Sequence, residues 1–254
     1  MKRLSFLLTF VLFLSACGPA VSDGETVAGC NDTLDGLSVL LAGYEFPQYF
    51  MAENPVKQGG EFDVMQYFTV LDHLSMKPGY VLDYVYHYDG MGGYPILYVR
   101  PDRQDPYASE ADLAAAGENP NYLDYIQADD TPESYFQFAV LAMTGEQFYL
   151  FWHAGYSDRR IVCNKADVTD IVASVGGEDF GLPMPLTSRV RAALLTGVEP
   201  SVSVGEQTVE VRLVTFTDWG GFYLETYTIN RKEPHTIQDV HEKNLVPYEC
   251  GVMF

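Results

Sequence analysis

The sequence has 254 residues and a formal net charge of −20, with 35 acidic against 15 basic residues. A surface this acidic repels phosphate backbones, which excludes nucleic acid as a partner. Apolar residues make up 47% of the chain, enough for a substantial core and too many for a disordered protein. The abundant tyrosine and phenylalanine favour β-structure, because flat rings pack well on a pleated surface.

The first 17 residues have the pattern of an export signal. Lys2 and Arg3 precede an apolar run over 4–14, which is shorter than the roughly 20 residues that a spanning helix needs. The run ends in small residues and a cysteine, Leu14-Ser15-Ala16-Cys17. This stretch resembles a bacterial lipoprotein signal peptide with its lipobox. The resemblance implies cleavage before Cys17, a diacylglycerol on its sulfur and usually acylation of the new amino terminus. An ordinary secretory signal is the alternative, and it also exports the protein.

The leader sets the expected domain boundaries. Residues 1–16 are the signal peptide, 17–30 the lipidated cysteine and a flexible tether, and 31–254 a single globular domain. The signal peptide holds two of the 15 basic residues and none of the 35 acidic ones, so the remaining chain carries a net charge of −22. Because anionic headgroups repel such a surface, we expect the membrane to be a partner through acyl chains on Cys17. The expected location is the cell membrane or outer envelope, facing away from the cytoplasm.

Three cysteines remain after Cys17, namely Cys30, Cys163 and Cys250. Thiols outside the cytoplasm tend to form disulfides, but three cannot all pair within one chain. Their spacings contain no CxxC motif of a zinc or redox site. A Cys163–Cys250 disulfide is favoured because both cysteines lie beside core-type segments, and it would be worth about 4 kcal/mol. Cys30 is the alternative partner.

In chain order, the first half of the domain predicts helices and one hairpin. Apolar spacing predicts helices over about 31–42, 61–75 and 109–116, the last with a capping-box start. Alternating residues over 80–88 and 94–100 predict the clearest hairpin of the chain, with glycine-rich residues between them. Residues 120–127 predict a further turn or two.

The second half predicts another hairpin from 135–143 and 147–153, and a short strand over 160–163. Helices are then predicted from Asn164, over 164–175, and from Thr187, over 187–196. A run of three strands over 202–204, 208–217 and 222–230 follows, and the tail contains a short predicted helix over 238–243. Hairpins dominate and no strand–helix–strand crossover is evident. The predicted fold class is therefore α+β, with a largely antiparallel sheet and several short helices packed on it.

No motif of a known catalytic, metal-binding or nucleotide-binding class occurs, so no cofactor is expected. The sharpest site hypothesis concerns His87 and His153, which lie near predicted strand ends. They could meet Asp83 on one face if the two hairpins are neighbours. A histidine beside a carboxylate suits a general base or a metal ligand. Ordinary hydrogen-bonded sheet residues are the preferred interpretation.

A second candidate is an acidic patch in and after a short helix, made of Asp124, Asp129, Asp130 and Glu133. Such oxygens bind calcium weakly in extracellular proteins. The favoured interpretation is structural: Asp129, Asp130 and Thr131 turn and cap the chain ahead of Pro132.

These features favour a membrane-anchored, extracytoplasmic lipoprotein that binds a ligand or partner and is not an enzyme. Exposed aromatic residues around Met91, Trp219 and the tyrosines near the hairpin tips would support this interpretation. The alternative is a hydrolase or metal-dependent enzyme that uses His87, His153 and Asp83. A two-lobed solute-binding protein is disfavoured, because such lobes need strand–helix–strand units.

Overall fold

The computed structural model describes residues 24–117, 120–153, 159–176 and 181–251. Its strands are β1 Glu25–Thr26, β2 Leu74–Met76, β3 Tyr80–Tyr88, β4 Gly92–Pro101, β5 Ile126–Ala128, β6 Phe151–Trp152, β7 Arg160–Val162, β8 Ser201–Val204, β9 Thr208–Thr217, β10 Gly221–Asn230 and β11 Ile237–Pro247. Its α-helices are α1 Cys30–Ala42, α2 Glu110–Ala116, α3 Pro132–Thr144, α4 Lys165–Ser174 and α5 Leu186–Ala193. Short 3-10 helices span Gln48–Met51, Val64–Thr69 and Tyr122–Tyr125.

Every strand pair in the described residues is antiparallel, which confirms the predicted α+β class. The largest sheet has the order β1-β8-β9-β10-β11, and β7 joins it by pairing with β9. A second sheet has the order β3-β4-β6, and β2 pairs with β5. The turn between β9 and β10 requires Gly221, whose φ is 88° and whose backbone lies too close to Val246 for a Cβ atom.

Two hydrophobic cores lie on opposite faces of the six-stranded sheet. Alternate residues of β9 supply them: Val211 and Leu213 belong to the first core, and Val214 and Phe216 to the second. Helix α3 and the β3–β4 hairpin build the first core, whereas α4 and α5 cover the second. None of the helices in the described part of the chain is both long and apolar enough to cross a bilayer.

Local signals identified several elements correctly. Helix α2 starts with the predicted capping box of Ser109 and Asp112, and α4 has an equivalent box of Asn164 and Asp167. The hairpin of β3 and β4 has the expected position, with Tyr88 opposite Gly93. Helix α1 and the three-strand run of β8, β9 and β10 are also confirmed. These elements carry their start, stop or turn residues within the segment itself.

The predicted second hairpin is wrong at its first strand. Residues 132–144 form helix α3, which Thr131 and Ser134 cap and Pro132 opens. Residues 134–141 are buried on all sides, so the helix has no polar face and lacks the 3.6-residue apolar period. Only Phe151–Trp152 of the expected second strand forms a strand, and it pairs with β4.

Two predicted helices are also wrong. The segment 61–75 forms a 3-10 helix over Val64–Thr69 and then β2, because its last residues pair with β5. The segment 238–243 lies within β11, the edge strand that pairs with β10 along its whole length. Residues 238–244 are exposed on both sides of the strand, and all of them except Val240 are polar or charged, a composition that suits an edge strand and also resembles a surface helix.

The predicted tether is wrong for its last residues. Glu25 and Thr26 pair with β8, and Val27 is buried in the first core. Helix α1 then starts at Cys30. A tether can therefore involve only residues before Gly24, and these residues, Cys17 and the signal peptide lie outside the described part of the chain.

The disulfide joins Cys30 to Cys163, with a Cα–Cα distance of 5.6 Å, so the favoured Cys163–Cys250 pairing is wrong. Cys250 is a free, buried thiol. The physical reason is that Cys30 and Cys163 both face the first core, whereas Cys250 packs in the second core, on the other side of the sheet. The disulfide fastens α1 to the residue after β7.

Candidate functional site

A groove of about 470 Å³ opens between the loop after α3 and strands β10 and β11. This volume lies within the usual range for small-molecule sites, about 300–1,000 Å³. Its apolar and aromatic walls come from four parts of the chain, with the side chains Tyr94, Met143, Leu150, Tyr227 and Val240. The groove therefore offers hydrophobic contact to a ligand and, through the charged residues described next, polar anchoring.

Glu225 on β10 is the buried charge of this groove, with 1% of its surface exposed. Its carboxylate accepts hydrogen bonds from the hydroxyls of Thr215, at 2.7 Å, and Tyr227, at 2.9 Å. Arg159 also donates to it and forms an ion pair. Burial and the neighbouring Glu225 raise the pKa of Tyr227, which keeps this hydroxyl a donor. The donors compensate the carboxylate for its loss of water.

Arg159 is shared between two carboxylates. It also donates to Glu242 on β11, at 2.9 Å, and Glu242 lies directly opposite Glu225 in the strand register. Like charges opposite one another destabilise a sheet, so the guanidinium between them is a structural requirement. Desolvation acts to lower the pKa of Arg159, but the field of Glu225 and the contacts with both carboxylates raise it. One cation balancing two anions leaves a negative excess at this end of the groove.

Glu146 adds a further carboxylate. It accepts a hydrogen bond from the backbone N–H of Leu97 at 2.9 Å, and no lysine or arginine of the described residues pairs with it. Its side chain remains accessible from solvent, but the surrounding protein removes enough water to raise its pKa. An uncompensated, partly desolvated carboxylate in a groove is a feature typical of binding sites.

The residues of the histidine hypothesis do not form one cluster. Asp83 pairs with Lys57 at 2.5 Å and with Arg100 at 3.0 Å, so both of its oxygens are occupied. Nδ1 of His87 lies 2.7 Å from a carboxylate oxygen of Glu110 on α2. His87 and Asp83 are four residues apart on β3, which corresponds to about 13 Å along the strand. The His153 ring packs against Trp152 instead. The expected convergence is wrong, because the two histidines and Asp83 have separate partners.

In the described part of the chain, no three His, Cys, Asp or Glu side chains are grouped so that they could hold a metal ion, and the carboxylates of the acidic patch have separate contacts. Asp124 contacts Thr236, Asp129 contacts His73 and Thr131, and Asp130 makes two hydrogen bonds to Arg231. Glu133 lies in the first turn of α3. The hydrogen bonds from Arg231 lower the pKa of Asp130 to about 2. Thr131 is a cap ahead of Pro132, as interpreted from the sequence, but the element that it caps is helix α3 and not the predicted strand.

The aromatic residues at the hairpin tip are only partly those expected. Met91 and Tyr94 are exposed, but Trp219 packs against the second core. Trp152, next to the tip and half exposed, was not identified from the sequence. Arg159, Glu225 and Glu146 were also missed. The sequence pattern that could have identified the site is the position of Glu225, a carboxylate on the same side of its strand as the buried residues Tyr227 and Ile229.

Comparison with known proteins gives no matching family model, no matching curated protein and no matching solved structure.

Proposed function

We propose that this protein is a lipid-anchored, extracytoplasmic binding domain whose groove takes a small ligand with a cationic group and an apolar part. The observation that carries the proposal is the negative excess of the groove, whose lining holds three carboxylates, Glu225, Glu242 and Glu146, and a single cation, Arg159. An amine or guanidinium beside Glu146 would balance this charge. The apolar walls would cover the remainder of such a ligand.

The chemistry of the groove supports binding more than catalysis. Glu225 is held by three donors, and the described groove residues include no histidine and no cysteine nucleophile. The hydrolase alternative relied on His87, His153 and Asp83, and their separate partners leave it without support. The acidic surface also attracts cations over several ångströms, which favours a cationic ligand from solution.

A matched pair of fluorescent probes tests the ligand class. Dansylcadaverine carries an amine and an aromatic group, and its N-acetyl derivative lacks only the charge. We expect the amine to bind more tightly, and Glu146→Gln to lower its affinity by up to about fivefold, since an ion pair with an exposed carboxylate is worth about 0.2–1 kcal/mol. The measurement is a fluorescence titration. Glu53→Gln, an exposed carboxylate elsewhere, is the control. Equal affinity for both probes would refute the cationic ligand class.

The same titration has an expected pH dependence. The amine needs the ionised form of Glu146, whose pKa is raised by desolvation. Affinity should therefore be full at neutral pH and fall as the pH drops through a value above the usual glutamate range. Glu146→Gln should abolish this step and leave the probe affinity flat over that interval. A step that survives in Glu146→Gln would assign the titration to another group.

The anchor is tested separately by growing expressing cells with labelled palmitate. We expect label in the intact chain and none in Cys17→Ser, because the thioether at Cys17 is the site of the diacylglycerol in our proposal. Cys250→Ser is the control, since this thiol is buried and free in the folded domain. Release of unlabelled wild-type chain into the soluble fraction would contradict the anchor without affecting the groove.

A further inference from the structure

Helix α5 turns its large apolar side chains to solvent, whereas a helix that packs on its own domain normally turns them to the core. Ser188 and Ala192 face the protein and are buried, whereas Leu186, Val190 and the C-cap residue Leu194 face outward with 76%, 51% and 74% of their surface exposed. These three residues follow one another at intervals of four, so they form a continuous stripe along one face. Large apolar residues that cluster on a surface indicate a contact with something outside the domain.

The charge around this stripe differs from that of the rest of the protein. Residues 181–198 contain Arg189 and Arg191 and no acidic residue, although the chain as a whole has 35 acidic residues. Both arginines are exposed. An apolar stripe flanked by arginines on a short helix is the pattern of helices that lie in a lipid interface. Among the α-helices of the described residues, α5 alone contains no acidic residue, so its own side chains do not repel anionic headgroups.

The position of the amino-terminal end of the domain supplies the second argument. Gly24 lies beside β8 and lines one cavity together with Gly197 and Glu199, which follow the end of α5. Seven residue steps separate Gly24 from Cys17, so even a fully extended segment spans only about 24 Å. A lipid on Cys17 would therefore hold this end of the domain, and α5 with it, close to the membrane surface.

We infer that the outward face of α5, formed by Leu186, Val190 and Leu194, rests on the lipid bilayer and orients the anchored domain. This inference rests on the lipid anchor of the proposed function. The acyl chains provide the attachment, and α5 fixes which side of the domain faces the membrane. The binding groove lies on the other face of the six-stranded sheet from α5, so this orientation leaves the groove open to solution.

The test uses the acylated full chain in vesicles of phosphatidylethanolamine and phosphatidylglycerol, with a nitroxide attached at Leu186→Cys. The label is selective, because Cys17 is acylated, Cys30 is bonded to Cys163, and Cys250 is buried. We expect collisions with oxygen to rise and collisions with a water-soluble nickel complex to fall, changing their ratio several-fold relative to the same labelled chain with Cys17→Ser. Met91→Cys, on the hairpin of the opposite core and half exposed, should show no such change.

Each other outcome decides against the inference. If the label still collides with the nickel complex in a chain that incorporates palmitate, the proposed contact of α5 with the membrane is refuted and the anchor is not affected. Low collision with both reagents means that protein covers the stripe, either a second copy or the carboxyl-terminal residues. No palmitate incorporation overturns the anchor and the inference together. Leu186→Glu with Leu194→Glu should abolish the membrane signal of a label at Val190→Cys, whereas Val39→Glu, on the exposed side of α1, should preserve it.

Discussion

Replacing Cys30 and Cys163 together by alanine is expected to lower the free energy of unfolding by about 4–5 kcal/mol. The reason is the length of chain that the disulfide closes, because the two cysteines are 133 residues apart. The cross-link removes conformations from the unfolded chain, and this effect grows with the logarithm of loop length. It also fastens α1 to the sheet through the residue that follows β7. A loss of this size is a large fraction of the stability of a typical domain.

Urea denaturation of the purified chain, followed by tryptophan fluorescence, measures this change. Cys250→Ala is the matched control, since it removes a buried thiol without opening a loop and should cost only about 1 kcal/mol. A reducing agent should shift the midpoint of the wild type and leave the double variant unchanged. Peptide mapping that found Cys250 in a disulfide, or equal losses in both variants, would contradict the assigned pairing.

Replacing Glu225 by leucine is expected to destabilise the protein by about 3 kcal/mol, the lower end of the range for breaking a buried ion pair. The substitution leaves the hydroxyls of Thr215 and Tyr227 without their acceptor and removes the buried partner of Arg159. The cost lies at the lower end because Arg159 is partly exposed and can keep its contact with Glu242. The free energy of unfolding in urea is again the measured quantity.

Glu242→Leu provides the control for this prediction. Glu242 contacts the same guanidinium, but 44% of its side chain is exposed, and exposed pairs contribute about 0.2–1 kcal/mol. Adding Arg159→Met to Glu225→Leu should recover part of the loss, with a coupling energy of about 1–3 kcal/mol. Similar losses for Glu225→Leu and Glu242→Leu, or strict additivity in the cycle, would show that burial of Glu225 does not control the energetics.

The candidate site illustrates what one sequence does not contain. Arg159 and Glu225 are 66 residues apart, and their pairing depends on the antiparallel registers that bring β7, β9 and β10 together. The sequence alone shows Glu225 as a carboxylate on an apolar strand face, but it does not show that Arg159 is its partner. The opposite error occurred with Asp83, which the alternating strand pattern put on the same face as His87, because no local feature indicates that Lys57 lies near it.

The corrected elements have a common physical cause. Residues 134–141 of α3 are all buried, so their apolar pattern has no period that separates helix from strand. Segment 237–247 is an edge strand whose polar side faces solvent, and its conformation comes from hydrogen bonds to β10. In both cases neighbours distant in the chain supply the deciding energy. Local signals such as the Asn164 cap and the glycine-rich hairpin turn did not need such neighbours.

By itself, the sequence determined the α+β class, the antiparallel hairpin of β3 and β4, the capped helices α2 and α4 and the acidic surface, because each depends on residue types or on residues within a few positions of one another. Only the tertiary structure decided the Cys30–Cys163 disulfide, the groove around Glu225 and the outward apolar face of α5. These features depend on which surfaces meet when the two cores form on opposite sides of one sheet. That choice depends on which apolar surfaces of the sheet and its helices bury one another, and no local window of residues contains it.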